Sequence, residues 1–149
     1  MERRNLLKLL ASGTVFLTGL IKPLAALAKW NQAAFDATNY DDAIEHYFPS
    51  ASFEDTDKIT IGVHSEIENG AVVPIKVKTE LKKLESITIL VEKNPTALIA
   101  NFDLYPGCLG NVSTRIKMEV PSDIIVIVKS DGKYYRTKKF VVVHKGGCG

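Results

Sequence analysis

Residues 121–143 read PSDIIVIVKSDGKYYRTKKFVVV, and the fold is decided there. Ile124 to Val128 is an unbroken β-branched run. Such side chains pack well on a pleated surface, and a run without polar alternation suits a strand buried on both faces. Asp131-Gly132 follows, a pair suited to a two-residue hairpin turn that needs positive φ. The chain then returns through Tyr134 to Val143 as a final strand. Two strands joined by a tight turn are antiparallel, so the stretch predicts the edge-to-edge geometry of an antiparallel sheet.

Working back towards the N-terminus, the period stays near two. Ile59, Ile61 and Val63 alternate with polar or small residues, as do Val73, Ile75 and Val77. Ile87, Ile89 and Val91 give another strand, Leu98, Ala100 and Phe102 another, and Val112 to Met118 a weaker one. Asn69-Gly70 is read as a second tight hairpin turn, while Asn94-Pro95, Pro106-Gly107 and Pro121 break the chain between strands. Before Asp57 the pattern is helical from Trp30 to about Phe48. Thr38 or Asn39 is the expected cap, Asp41 and Asp42 occupy the first turn where the helix dipole favours negative charge, and Ala43, Ile44 and Tyr47 share one face. The expected fold is therefore all-β, an immunoglobulin-like antiparallel β-sandwich of about seven strands preceded by a short N-terminal helix. A closed barrel is the competing architecture.

Residues 1–28 read as a cleaved export signal. Arg3 and Arg4 open it, Leu9 to Ile21 is apolar, and Ala26-Leu27-Ala28 supplies small residues for cleavage. The apolar stretch contains Ser12, Gly13, Thr14 and Gly19 and is short for a membrane span, so no membrane association is expected after cleavage. Arg3-Arg4-Asn5-Leu6-Leu7-Lys8 is similar to a twin-arginine signal, which exports folded proteins, although Glu2 stands where Ser or Thr is usual. The organisation expected is a signal at 1–28, a helical segment at 29–56, the sandwich at 57–145 and an arm at 146–149. Residues 1–28 carry a net +3 of a whole chain that is +2, leaving the mature part near −1. That balance removes support for a nucleic-acid partner, which requires a basic face.

The last strand stops at His144-Lys145, and Gly146-Gly147-Cys148-Gly149 follows. Glycines on both sides give Cys148 wide backbone freedom and no bulky neighbour. A nucleophilic enzyme holds its thiolate rigidly beside a base, which a terminal tail does not offer. The chemistry implied is a thiol presented to another protein's active site, with Gly146, Gly147 and Gly149 as the carrier arm. The second cysteine, Cys108, keeps an alternative open: a binding or structural module stapled by a Cys108–Cys148 disulfide, which an exported compartment permits. Cys148 also offers disulfide-linked self-association between chains. His46, His64 and His144 flank no ligand at metal spacing, so no metal site is expected, and Arg115 is read first as a surface ion pair.

The tail resembles the Gly-Gly-Cys-Gly-Gly terminus of the SoxY sulfur carriers of bacterial thiosulfate oxidation, one glycine shorter. Glu68-Asn69-Gly70-Ala71-Val72-Val73-Pro74, Val91-Glu92-Lys93-Asn94-Pro95, Val112-Ser113-Thr114-Arg115-Ile116-Lys117-Met118 and Asp131-Gly132-Lys133 are similar to the same family. The resemblance implies a periplasmic, non-catalytic carrier that holds sulfur intermediates covalently on Cys148 and binds no cofactor. It implies a heterodimer with a SoxZ-like sandwich subunit. It also implies transient contacts with a c-type haem sulfur transferase, a metal-dependent sulfate-releasing hydrolase and a sulfane dehydrogenase.

Overall fold

The run at 124–128 lies in a strand that faces two cores at once. The computed structural model describes residues 31–144. Among them are two short helices, α1 (Gln32–Phe35) and α2 (Tyr40–Tyr47). Nine strands follow: β1 (Phe53–Asp55), β2 (Ile59–Gly62), β3 (Glu66–Ile67), β4 (Val73–Thr79), β5 (Leu84–Val91), β6 (Leu98–Asp103), β7 (Asn111–Ile116), β8 (Ser122–Ser130) and β9 (Lys133–Val143). The larger sheet runs β1-β9-β8-β5-β6, with β3 also on β9, and the smaller runs β2-β4-β7. All pairings are antiparallel except those of β1 and β3, which lie parallel to β9.

Ile124, Val126 and Val128 of β8 point into the sandwich, against Ile59, Ile61, Val73, Ile75 and Val77 of the smaller sheet. Ile125 and Ile127 point the other way, where Ala34, Ala37, Ala43 and Phe48 cover them. Each such side chain contributes roughly 1.5–3 kcal/mol by leaving water, and burial on both faces removes the alternation here as it does over Ile87–Val91 of β5, where Leu90 joins the lid core. The sequence from Asn31 to Phe48 is thus a lid on the outer face of the larger sheet. Edge-on ring contacts of Phe48 with Tyr47, Phe53 and Tyr134, at centroid separations of 4.9, 5.6 and 5.2 Å, pin it there.

Three expectations change. The helical pattern from Trp30 to Phe48 is two helices rather than one. Asn39 caps α2 by accepting from the Asp42 amide at 2.9 Å, and a cap residue needs an extended backbone, which interrupts the helix before it. Asn31 caps α1 and its amide donates to the His46 carbonyl at 2.9 Å, tying the pair together. Second, β1 and β3 add to the seven strands expected; they are too short to show a period. Third, Asp131-Gly132 forms the tight turn, with φ of 50° and 75° joining Ser130 to Lys133, but Asn69-Gly70 does not. Gly70 lacks positive φ. Asn69 instead makes a local turn, its side chain accepting from the Ala71 amide at 2.9 Å.

Candidate functional site

Cys148 and the glycines at 146, 147 and 149 lie outside the described residues, as does the stretch 1–28. What the structure defines is the root from which that tail departs. The end of β9 is clasped by the segment Ser65–Gly70. The Val142 amide donates to the Ser65 carbonyl at 2.8 Å, the His144 amide to the Ile67 carbonyl at 2.9 Å, and the Gly70 amide to the His144 carbonyl at 3.3 Å. His144 Nε2 also lies 2.8 Å from Glu66 Oε1. Both side chains are largely exposed, so that contact adds little to stability, and the backbone bonds carry the clasp.

Gly70 is the close-packed point. A Cβ there would run into the Met118 carbonyl oxygen and approach Val143 Cβ at 3.3 Å. Its own carbonyl accepts from the Met118 amide at 2.8 Å. Glycine is required here for contact, not for a left-handed backbone. Met118 is held in turn by Asn94, whose side chain bridges the loop: Nδ2 donates to the Lys117 carbonyl at 2.7 Å and Oδ1 accepts from the Glu119 amide at 3.1 Å. The Lys93 amide donates to Ser122 Oγ at 3.0 Å. Three of the stretches singled out in the sequence therefore converge on the arm's root. Their turn residues looked like local punctuation; their partners are 23 to 25 positions away for Asn94 and farther for Gly70, which spacing cannot reveal.

Cys108 lies at the other end of the sandwich. It closes a turn in which Pro106 and positive-φ Gly107 (93°) occupy the central positions, its amide donating to the Tyr105 carbonyl at 3.0 Å; this is a type II turn. The loop is tied to the far end of β4 through the Thr79 amide and Gly110 carbonyl at 2.8 Å. Strand β9 runs between the two ends, roughly 33 Å at 3.3 Å per residue. Lys145 to Cys148 extends at most ~14 Å from His144. A Cys108–Cys148 bridge within one chain does not close, and the stapled-module alternative fails on that spacing. Cys108 is an exposed free thiol.

Among the described residues no group of three His, Cys, Asp or Glu lies together to hold a metal. His46 and His64 are both exposed and separate. Arg115, expected in an ion pair, has none among the described residues. A cavity outside the larger sheet between Tyr40 and β9 is lined by Asp55, Glu92, Arg136 and Lys138, two charges of each sign. Arg136 Nε bonds Asp55 Oδ1 at 2.7 Å and holds that carboxyl below its ordinary range. Burial pushes the Tyr40 hydroxyl up.

Fold and root together define a class: an immunoglobulin-like sandwich with a helical lid, whose last strand ends in a clasped, solvent-facing root. The chain belongs to the SoxY family. The model of that family, described as sulfur oxidation protein SoxY, matches residues 44–148 and so runs through Cys148. The structure is similar to that of the sulfur carrier protein SoxY from Chlorobium limicola f thiosulfatophilum, at 34% identity and a TM-score of 0.64, over 70% of this chain and 94% of that one. Two single-substitution variants of superoxide reductase (neelaredoxin) from Ignicoccus hospitalis share the fold at 12% identity. One has a TM-score of 0.54 over 62% of this chain and 94% of its own, and the other 0.52 over 73% and 91%. No curated protein matches.

Proposed function

We propose that the mature protein is a non-catalytic carrier that holds sulfur intermediates on the Cys148 thiol and presents them to partner enzymes. The observation that carries this reading is the clasped root. The fold spends Gly70, Asn94 and Met118 on fixing where the chain leaves the sandwich, and among the described residues it builds no enclosed catalytic pocket beside that point. Membership of the SoxY family, matched through Cys148, supports the sulfur chemistry.

The reactions follow from thiol chemistry. Thiosulfate joins the cysteine as Cys–S–S–SO3⁻, the thiol losing its proton and two electrons leaving one at a time through the c-type haem of a sulfur transferase to a soluble electron acceptor. Water then cleaves the S–SO3 bond on a metal-dependent hydrolase, releasing sulfate and protons and leaving a persulfide on Cys148. A sulfane dehydrogenase or a storage route consumes that sulfur. A SoxZ-like sandwich subunit is the constant partner, and residues 1–28 direct export to the periplasm by the twin-arginine route before they are removed.

Intact mass and peptide mapping of the protein from its host growing on thiosulfate test the reading. Reducible sulfur adducts confined to Cys148, and absent from Cys148→Ala, are expected. Functional protein that never carries an adduct there, or turnover by the isolated chain, overturns it.

A further inference from the structure

The smaller sheet shows the solvent a face that nothing in the described chain covers. Along β4 and β7 every second residue is exposed while its neighbours enter the core. Three of those exposed residues are cations: Lys76 and Lys78 of β4 and Arg115 of β7. Arg115 is opposite Pro74 and Lys76 opposite Ser113, so Arg115 and Lys76 are diagonal neighbours, and Lys78 follows Lys76 on the same side. Spacings in such a row are about 7 Å, inside the screening length of about 8 Å at physiological salt. The three charges therefore act together.

No carboxylate answers them within the described chain. Elsewhere Lys83, Lys129, Lys133, Arg136 and Lys138 each sit within 4.0 Å of an acid, while Lys58, Lys82, Lys93 and Lys117 stand singly and Lys139 donates to the Val63 carbonyl at 2.7 Å. Between the three unpaired cations the face is low, with Gly62, Pro74 and Ser113 exposed. A mature chain near −1 overall thus sets three unmatched cations, and no carboxylate, among the exposed strand residues of one flat sheet face. Strand pairing places Arg115 opposite Pro74, one residue into β4 from the end near Gly70 and the root of the arm.

We propose that this face docks the carrier, transiently, on an acidic surface of the enzymes that act on its arm. The inference rests on the carrier reading above. A row of separated cations on a flat face matches several carboxylates spread over a protein surface; a single small anion calls for donors that converge. The face exposes no large apolar side chain, whereas permanent subunit interfaces are hydrophobic. Charge of this kind governs encounter rate and its salt dependence more than lifetime, which suits a carrier that must leave each enzyme. Docking here sets the root of the arm beside the partner.

The test is the second-order rate constant for loading the mature protein, in complex with its SoxZ-like subunit, by the host's haem sulfur transferase. Wild type is compared with K76A/K78A/R115A at about 20 mM and about 500 mM salt, and a neutral disulfide reagent reports intrinsic Cys148 reactivity. At low salt the triple variant is expected to load at least about tenfold more slowly. At high salt the two should agree within about twofold, and reagent reactivity should be equal throughout. Equal loading of both proteins at low salt overturns the docking face while leaving the carrier reading intact. Absence of loading on Cys148 in any protein, wild type included, overturns the carrier reading itself. Loss of the heterodimer in the variant at both salts assigns the face to the permanent subunit, and saturable protection by millimolar sulfate beyond matched chloride assigns it to a free anion. Either result also overturns the proposal.

Discussion

Gly70→Ala is the perturbation that most directly examines how the arm is held. The added methyl meets the Met118 carbonyl oxygen and Val143 Cβ, both in the packed layer beneath the clasp, so either the 67–72 segment lifts or β9 shifts. Lifting costs the Gly70–His144 and Met118–Gly70 backbone bonds, each about 1 kcal/mol net. Overpacking instead costs about 1–3 kcal/mol. By either route a loss of about 1–3 kcal/mol is expected, or a fall in Tm of roughly 4–12 °C for a domain of this size. Calorimetry gives the total, and amide exchange locates it. Val142 and His144, which donate to Ser65 and Ile67, should lose protection more than the amides of β8. A variant that melts within about 2 °C of wild type with both amides still protected would refute the clasp.

Ile127→Ala should lower stability by about 2–5 kcal/mol in denaturant unfolding, because Ile127 is 1% exposed between β8 and the helical lid; a loss under about 1 kcal/mol would mean the lid does not pack as described. Glu85 accepts from Lys129 and from the Gly132 amide, and both hold its carboxyl below the ordinary value of 4.5. A lowered folded-state value means that its contribution is present above about pH 4.5 and lost as pH falls further. Glu85→Gln should therefore flatten the acid limb of the Tm–pH curve below that pH, and an unchanged limb would count against the pairing. Cys108→Ser should leave sulfur adducts on Cys148 unchanged by mass, since Cys108 lies at the opposite end of the sandwich; their disappearance would give Cys108 a role that the spacing denies.

Much of this molecule is local physics. The period-two apolar pattern places the strand cores at Ile59, Val73, Ile87, Leu98 and Val112, because a strand with one buried face must alternate. The unbroken run Ile124–Val128 announces two buried faces. Asn39 with Asp41 and Asp42 announces a helix start, and Asp131-Gly132 a hairpin. Each signal is carried by residues that are neighbours in sequence, and each stands in the structure where it was expected.

Other features were decided by tertiary structure alone. The parallel strands β1 and β3 exist because β9 offers a free edge to Phe53–Asp55 and Glu66–Ile67, which lie far earlier in the chain and are too short for any pattern. Gly70 reads in isolation as a turn glycine; only the approach of Met118 and Val143 shows that it is a contact glycine. Arg115 reads as half of an ion pair until the register with β4 sets it among lysines. The sequence by itself determined seven of the nine described strands, the lid helix start and the Gly146-Gly147-Cys148-Gly149 motif of the tail, since periodicity, capping and short motifs are local. Only the folded chain decided that three separated stretches meet at the root of that tail and that Cys108 sits beyond its reach, since contact across a sandwich depends on topology.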